Sequence, residues 1–417
     1  MSVIVNLSNY IKCYLRRYVD RNGRYPFKSR SDNKSGWVLE LGAREKHRLV
    51  SGYKGEEQSH FTAPFWQELI WLFILISDAT NAWYKYGKQN HREYINFVPD
   101  IIKIISLGRR YNFAPYHYFD YRLFRENGEK IASRLIPNWT FGMLCRRLSR
   151  LRKLPVASLD NKFQFFDFCH KHGLSTIPII RVEDIVSLEI AGQFDLFVKP
   201  PDNFGGKGCL ALKYNSVKNK WIVDGNTVSH ATLKAYLDSR FGGKAYLIQP
   251  RIRNHPILAR IAGNTLSTVR MLSAKEIDGN VRIVRATLRM ALDHPVVDSF
   301  SQGGALVPVE LQSGKLGKCF LSNPTRAQTY HPNTRQRIEG EVIPLWEQAK
   351  EIVRRAHMAA SEFNFLGWDV AVSDEGILLQ ECNVWPEVDI MQRPQDEGLL
   401  DDGVLQLLHA EFPEEGN

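Results

Sequence analysis

The fold is decided by the stretch Phe365-Leu-Gly-Trp-Asp-Val-Ala-Val-Ser-Asp-Glu-Gly-Ile-Leu-Leu-Gln-Glu-Cys-Asn383. It contains two strand-like runs separated by Asp-Glu-Gly, a combination typical of a β-hairpin. A three-residue loop over 374–376, ending on a left-handed glycine, places Asp369 opposite Glu381. Side chains alternate along a strand, so Asn383 shares a face with Glu381.

This hairpin brings two carboxylates and one amide oxygen onto one sheet face. Facing carboxylates repel each other unless positive charge lies between them. Hard oxygen ligands suit Mg²⁺, which takes one or two carboxylates together with substrate phosphates. The stretch therefore predicts that Asp369, Glu381 and Asn383 are Mg²⁺ ligands. The alternative is a polar outer face of an edge hairpin.

A glycine-rich loop follows an earlier strand, in Phe197-Val-Lys-Pro-Pro-Asp-Asn-Phe-Gly-Gly-Lys-Gly208. Glycine lets backbone N–H groups approach phosphate oxygens, and lysine adds a point charge. The stretch predicts phosphate contacts from Lys199 and from the loop residues Gly205, Gly206, Lys207 and Gly208. It does not have the Walker A pattern, and an ordinary glycine-rich turn is the alternative.

A third segment, Val281–Met290, alternates polar and apolar residues from Val284 onward. Strand periodicity puts Arg285, Thr287 and Arg289 on one face, and Arg270 occurs in a similar strand. Guanidinium groups bind phosphate or carboxylate with two parallel hydrogen bonds. These arginines predict an anion site, with a solvated strand face as the alternative.

The wider pattern predicts an α+β architecture, in which strands dominate after residue 195 and helices are grouped between them. A short helix is expected over 161–172, before a glycine that ends it. The predicted strands are 196–199, 246–252, 268–274, 281–290, 306–311, 367–372 and 377–383, and the longer helices are 230–240 and 343–363.

Length and composition limit the class of protein. The chain has 417 residues, 44% apolar and 24% charged, which excludes a disordered, collagen-like or polytopic membrane protein. Residues 1–160 carry 27 Lys and Arg against 14 Asp and Glu, whereas the remainder is nearly balanced. This asymmetry indicates either an anionic partner for the first part or a solvated helical surface.

The six cysteines are scattered, without a C-x-x-C pair, so neither a disulfide framework nor a zinc site is expected. The first 18 residues are too polar for a secretory signal. The apolar run Trp71–Ile76 is short for a membrane span and predicts a buried core helix, or else a membrane-surface helix. These features predict a cytoplasmic protein without an integral membrane segment.

Taken in order, the segments resemble the ATP-grasp superfamily, most closely its sugar-transfer associated branch, over roughly residues 110–400. Further stretches carry the resemblance: Phe113-Ala-Pro-Tyr-His-Tyr-Phe-Asp-Tyr-Arg-Leu, Leu159-Asp-Asn-Lys162, Asn254-His-Pro, Ser267-Thr-Val-Arg270, Gly303-Gly304 and Gln380-Glu-Cys-Asn-Val-Trp385. The chain departs from the family pattern at Asn161, where Asp is usual, at Ser267, where Asn is usual, and at Gln249, where relatives often carry Glu.

The resemblance implies an ATP-grasp fold, with two α+β lobes that clasp ATP. The domains it suggests are a polar basic segment over 1–60, a helical domain over 61–155, a small lobe over 156–245 and a large lobe over 246–417. It implies these site roles: Lys162 and Lys199 on the phosphates, Gly205, Gly206, Lys207 and Gly208 in a flap, Gln249, Ile252 and His255 at adenine and ribose, Asp369, Glu381 and Asn383 on Mg²⁺, and Arg270, Arg285 and Arg289 on the γ-phosphate or acceptor.

The implied activity is an ATP-dependent carboxylate–amine (or thiol) ligase that forms an acylphosphate and releases ADP and phosphate. A phosphotransferase with a hydroxyl acceptor and a non-catalytic nucleotide-binding module are the alternatives. The basic first part and the arginines favour an anionic small-molecule, peptide or glycoconjugate acceptor, and an aminoacyl-tRNA is a further candidate. Nothing in the sequence chooses among these acceptors or predicts the oligomeric state.

Overall fold

The computed structural model describes residues 75–88, 95–111, 113–181, 185, 195–201, 208–215, 218, 220–223, 225–292, 303–321 and 327–412. The polar segment 1–60 and most of the apolar run before Leu75 lie outside these residues. The chain divides into two units: the first contains the described residues up to Arg152 and those from 387 onward, and the second runs from Lys153 to Pro386.

Helices and strands are named here in chain order. After a helical segment over 75–82 and a π-helical turn at Trp83–Gly87, the helices are α1 (Phe97–Tyr111), α2 (His117–Asp120), α3 (Gly128–Ala132), α4 (Asn138–Arg152), α5 (Ala157–Asp160), α6 (Lys162–Lys171), α7 (His230–Arg240), α8 (Pro256–Ala262), α9 (Trp346–Ala359), α10 (Asp389–Gln392) and α11 (Asp402–Glu411). The strands are β1 (Asp195–Lys199), β2 (Leu210–Asn215), β3 (Lys220–Val223), β4 (Asn226–Ser229), β5 (Leu247–Pro250), β6 (Thr268–Lys275), β7 (Val281–Met290), β8 (Ala305–Pro308), β9 (Cys319–Phe320), β10 (Ala327–Gln328), β11 (Phe365–Ser373) and β12 (Gly376–Asn383).

The end of the chain packs into the first, helical unit. Arg393, just after α10, donates to Asp120 of α2 at 2.8 Å, and Tyr121 donates to Asp389. The buried Gln392 amide donates to the carbonyl of Ile136 at 2.8 Å and accepts from its N–H at 3.1 Å. Such buried polar pairs depend on the native arrangement of both partners. The sequence pattern places 246–417 in one lobe, whereas the structure groups 387–412 with the helical unit.

The second unit contains two antiparallel sheets. The smaller has the strand order β4-β3-β2-β1-β5, and its apolar face includes Val198, Leu212 and Val223. The sequence pattern does not predict β2, β3 and β4. Strands of four to six residues that mix charged, amide and apolar side chains give only a weak alternation signal.

The larger sheet has the order β10-β9-β8-β7-β6-β11-β12. Helix α9 packs on one face of it through Ala349, Val353 and Ala356, against sheet residues that include Trp368 and Val370. Because side chains alternate, this arrangement leaves the other face of β6, β7, β11 and β12 for polar residues. The predicted strands and helices of this region are confirmed within a few residues, as is the α+β class.

Two further findings concern membranes and thiols. Within the described part of the chain, no helix combines the length and the apolar character that crossing a bilayer requires. Cys382 is a buried member of the large-lobe core, as its position on the strand predicts. Burial raises the pKa of its thiol well above the ordinary value.

A buried hydrogen-bond relay joins α9 to the sheet beneath it. The Nδ1 atom of His357 lies 2.6 Å from the Ser273 hydroxyl, and its Nε2 atom lies 3.0 Å from the carbonyl of Phe363. The indole of Trp368 donates to the same hydroxyl at 2.8 Å. Burial lowers the pKa of His357 to about 4, and the charge of Lys275 acts in the same direction.

This relay predicts a loss of stability in mild acid. An unfolded histidine has a pKa of about 6.5, so below that pH the unfolded chain binds a proton that folded His357 does not accept until the pH nears 4. Its contribution is present above pH 6.5 and falls by about 2 kcal/mol between pH 7.5 and pH 5. His357→Gln should reduce the pH dependence of urea unfolding by that amount, and the exposed His170→Gln should leave it unchanged. Equal pH dependence in His357→Gln and the wild type would contradict the prediction.

Candidate functional site

One polar row crosses four strands of the large sheet. In register, Thr287 of β7 lies opposite Arg270 of β6, Arg270 opposite Asp369 of β11, and Asp369 opposite Glu381 of β12. Cross-strand partners on one face have neighbouring side chains. The predicted pairing of Asp369 with Glu381 is confirmed.

The route to that pairing differs from the prediction. Ser373 pairs with Gly376, so the loop between the strands is one residue shorter than expected. The register then shifts at a β-bulge, where Val370 faces Leu379 but Asp369 faces Glu381, which leaves Gln380 as the extra residue. The shorter loop and the bulge compensate for each other.

The bulge decides which way Glu381 points. Ile377 and Leu379 lie in the core below the sheet, and so do Cys382 and Val384. A regular strand would alternate without interruption and would carry Glu381 to the core face with Leu379. The extra residue reverses the alternation and turns Glu381 to the polar face. The change from odd to even core positions is visible in the sequence and is the signal that could have predicted the bulge.

Asp369 is held by two arginines at the centre of the row. Arg270 donates through Nε to Oδ1, and through Nη2 to Oδ2 at 3.0 Å, while Arg289 donates to Oδ2 at 3.1 Å. The Asp369 side chain is only 1% exposed. Burial on its own would raise the pKa of this carboxyl, but the two guanidiniums outweigh it and hold the pKa well below its usual range.

Glu381 stands between Asp369 and a lysine. Its Oε2 atom lies 3.9 Å from Nζ of Lys162, and its side chain is 26% exposed. Its partial burial and the neighbouring charge of Asp369 raise its pKa, with Lys162 opposing them. Lys162 opens α6 directly after Asn161, whose side chain caps the helix by accepting from the N–H of Phe163 at 3.0 Å. Asparagine therefore performs the capping task that the family's aspartate could also perform.

The second lysine, Lys199, ends β1 and is 7% exposed. Burial lowers its pKa, and the charge of Glu381 raises it. Cys209 lies close enough to Lys199 and Lys162 for their charges to lower its pKa, although burial raises that pKa overall. Cys209 directly follows the glycine-rich stretch that ends at Gly208, and that position is the sequence signal for its place in the site. Of the predicted flap residues, Gly208 is described, with φ of +75°, and Gly205, Gly206 and Lys207 lie outside the described residues.

The residues predicted to face adenine and ribose have other contacts. The Gln249 amide donates to the carbonyl of Ile177 at 3.2 Å, and Ile252 is buried. The Nδ1 atom of His255 accepts from the N–H of Ile257 and caps α8. The structure thus brings Lys162, Lys199 and the polar row together, whereas the contacts of Gln249 and His255 stabilise the backbone.

Asn254 is a structural residue that the motif alone did not explain. Its side chain donates to the carbonyls of Gly263 and Thr265 at 2.9 and 2.8 Å and accepts from the N–H of Ser267 at 2.8 Å. It fastens the loop that leads into β6. Buried side chains that satisfy several backbone groups specify one loop conformation.

The polar face fits a hard divalent cation. Asp369, Glu381 and Asn383 offer carboxylate and amide oxygens from one face, which is the donor set that Mg²⁺ prefers. The buried Nδ2 atom of Asn383 has no hydrogen-bond partner among the described residues, so the amide can turn its oxygen toward a ligand. No group of three His, Cys, Asp or Glu side chains that could hold a metal ion occurs in the described ranges.

The ion pairs predict unequal effects of two matched substitutions. Asp369→Asn leaves the buried Arg270 and the partly buried Arg289 without their counter-charge and should lower the free energy of unfolding by about 3–5 kcal/mol. Glu381→Gln removes a partly exposed charge that is repelled by Asp369 and attracted by Lys162, and should change it by less than about 1 kcal/mol. Urea unfolding followed by circular dichroism measures both variants. Equal losses would refute the assignment of Asp369 as the charge on which the row depends.

Three solved structures illustrate what the chain is similar to. The biotin carboxylase domain of the 2-oxoglutarate carboxylase of Hydrogenobacter thermophilus, in complex with MgADP and bicarbonate, is 12% identical with a TM-score of 0.35, over 60% of this chain and 45% of that one. For D-alanyl-alanine synthetase A of Vibrio cholerae these values are 12%, 0.37, 61% and 65%. For the N5-carboxyaminoimidazole synthetase of Staphylococcus aureus complexed with ADP they are 10%, 0.36, 60% and 52%. The match therefore spans less than two thirds of each of those chains.

The comparison with curated proteins finds no match. The comparison with family models matches residues 147–406, more than half of the chain, to one family. The matched range contains both lysines, the arginines and the complete polar row. The chain belongs to the sugar-transfer associated ATP-grasp family.

Proposed function

We propose that this chain is an ATP-dependent carboxylate–amine (or thiol) ligase that works through an acylphosphate and releases ADP and phosphate. The observation that carries the proposal is a convergence of charges in an ATP-grasp protein: paired carboxylates and two arginines on one sheet face, with Lys162 of α6 and Lys199 of β1 close to them. Folding does not require so many charges in one buried place. Their chemistry matches a polyphosphate and its cation.

Lys162 and Lys199 are the proposed phosphate contacts. Lys162 lies at the start of α6 and Lys199 at the end of β1, and each is close enough to Glu381 for their charges to interact. Lysine acts on phosphate as a point charge, so it tolerates the movement of a closing loop. Lys199 is the more buried of the two proposed ATP contacts. A bound phosphate would offset the free-energy cost of burying its positive charge.

The carboxylates and Asn383 would hold Mg²⁺, which neutralises charge on the phosphate oxygens when it is bound. The chain's own part is to supply oxygens that are aligned before the ligand arrives. The bulge at Gln380 and the cross-strand register fix Glu381 opposite Asp369. Such preorganisation lowers the cost of reorienting charged groups during the reaction.

The arginines are proposed to hold the γ-phosphate and the acceptor carboxylate in line. A carboxylate is a poor electrophile. Attack of its oxygen on the γ-phosphorus releases ADP and forms an acylphosphate, and an amine or thiol then attacks the acyl carbon and displaces phosphate. Arg289, and Arg285 on the same face of β7, are the candidates for the acceptor. The acceptor is proposed to be anionic, and its identity as a small molecule, peptide or glycoconjugate is left to experiment.

The test is ³¹P NMR of the protein with MgATP and a pooled metabolite extract. The proposal predicts ADP and an equal amount of free phosphate that depend on the extract, and their loss in Glu381→Gln. The exposed Glu375→Gln, in the loop of the same hairpin, is the matched control and should keep full turnover.

The other outcomes separate the remaining activities. A new phosphoester signal in place of free phosphate would refute the ligase and identify a phosphotransferase. Nucleotide binding in a calorimeter, without ADP formation on any carboxylate and amine mixture, would identify a binding module instead. Mass spectrometry of the active mixture would then name the acceptor.

A further inference from the structure

We propose that Arg270 and Arg289 keep Asp369 closed to divalent cations until nucleotide binds, so that the metal enters only with the nucleotide. This inference rests on the proposed function, because it concerns the same metal and phosphate site. It adds that the nucleotide binds before the metal, and it attributes this order to Arg270 and Arg289.

The carboxylate of Asp369 already accepts hydrogen bonds at most of its lone-pair sites. An ionised carboxylate has about four lone-pair sites, and three N–H groups of Arg270 and Arg289 are directed at those of Asp369. The carboxylate is also buried, so a hydrated cation has little access to it. A metal that binds Asp369 must first displace a charge-assisted hydrogen bond, which is among the strongest hydrogen bonds in proteins.

The side chains around Asp369 and Glu381 carry more positive than negative charge. Four cationic side chains, Arg270, Arg289, Lys162 and Lys199, surround the two carboxylates Asp369 and Glu381. A divalent cation that enters alone therefore meets an excess of positive charge at low dielectric. A nucleotide polyphosphate reverses the sign of the site and brings oxygen ligands of its own.

The two arginines differ in how firmly they hold. Arg270 contacts both carboxylate oxygens and its side chain is 6% exposed, whereas Arg289 contacts Oδ2 of Asp369 at 3.1 Å and its side chain is 15% exposed. The geometry assigns the movement to Arg289, which exchanges its carboxylate partner for a phosphate oxygen. Arg270 stays and keeps the carboxylate in place.

The experiment measures Mn²⁺ binding, with Mn²⁺ as the probe for Mg²⁺, from the electron paramagnetic resonance signal of the free ion. Wild-type protein is titrated alone and with saturating ADP, and the Mn²⁺ bound by ADP itself is subtracted. The expected result is at least about tenfold tighter binding of Mn²⁺ with ADP than without it. Equal affinities in the two titrations would overturn the proposal.

Arg289→Met tests the residue directly. It should bind Mn²⁺ without nucleotide about tenfold more tightly than the wild type, because one positive charge and one competing hydrogen bond are gone. Arg289→Lys keeps the charge and should stay near the wild type. Arg282→Met, on the same strand but paired with Glu276, is the matched control and should cause no change. An unchanged affinity in Arg289→Met would also overturn the proposal.

A separate measurement of ADP binding distinguishes failure of this proposal from failure of the proposed function. ADP binding is measured by calorimetry in EDTA, where no metal takes part. If ADP does not bind, the nucleotide function fails, but the comparison of Arg289→Met with the wild type still tests the closed state of Asp369. If Arg289→Met does not fold, the wild-type titrations with and without ADP decide the question alone.

Discussion

Asp369 is a buried charge in the middle of an antiparallel sheet, and the structure around it has to compensate for that charge. Arg270 lies opposite it in register and satisfies both of its oxygens. An isolated carboxylate at this depth would be costly in free energy, so the strand register and the ion pair depend on each other. A slip of β6 by one residue would place an apolar side chain against Asp369 and leave both charges without their partners.

Bulges in two strands of the large sheet help to direct polar side chains to one face and apolar side chains to the other. One bulge lies at Gln380 in β12, and a second lies in β7, where Val284 is the extra residue because Arg285 pairs with Leu272 and Ile283 pairs with Ser273. The first turns Glu381 to the polar face, and near the second the Ser273 hydroxyl meets His357 and Trp368 on the core side. Both lie within a few residues of the row that carries Asp369. Bulges are common next to active sites because they redirect single side chains without changing the rest of the strand.

A short segment after α6 links the two sheets of the second unit. Thr176 donates to the carbonyl of Leu379, just before the bulge in β12, and Ile177 accepts from Gln249 of β5. Ile180 then pairs with Ile248 of the same strand. The strand expected to face adenine and the strand that carries Glu381 are therefore held by one piece of backbone. Gln249, which replaces a charged residue common in relatives, has a structural partner in that segment.

The sequence predicted the central strands of the large sheet well because they are long, and because β7 alternates polar and apolar residues from Val284 to Met290. The opposition of Asp369 and Glu381 was predicted correctly, but through a hairpin loop one residue too long. The shorter loop shifts the register by one residue, and the bulge at Gln380 shifts it back. The sequence could not predict the ion pair of Asp369 with Arg289, because that contact is diagonal between strands that are not neighbours. His255 is a different case, because its cap is a local contact with Ile257: its place in a motif suggested a ligand, while its ring caps a helix.

This contrast gives a physical criterion for the rest of the site. The polar atoms of Asn254, His255 and Gln249 have backbone partners, so the fold alone accounts for those residue types. Lys162 also donates to a backbone carbonyl, that of Pro201 at 3.2 Å, but Lys162 and Lys199 lie close enough for their charges to oppose each other, which adds a repulsion that folding does not need. A site that keeps an excess of positive charge under partial burial is suited to an anion that arrives from outside. The same excess argues that the nucleotide comes before its metal.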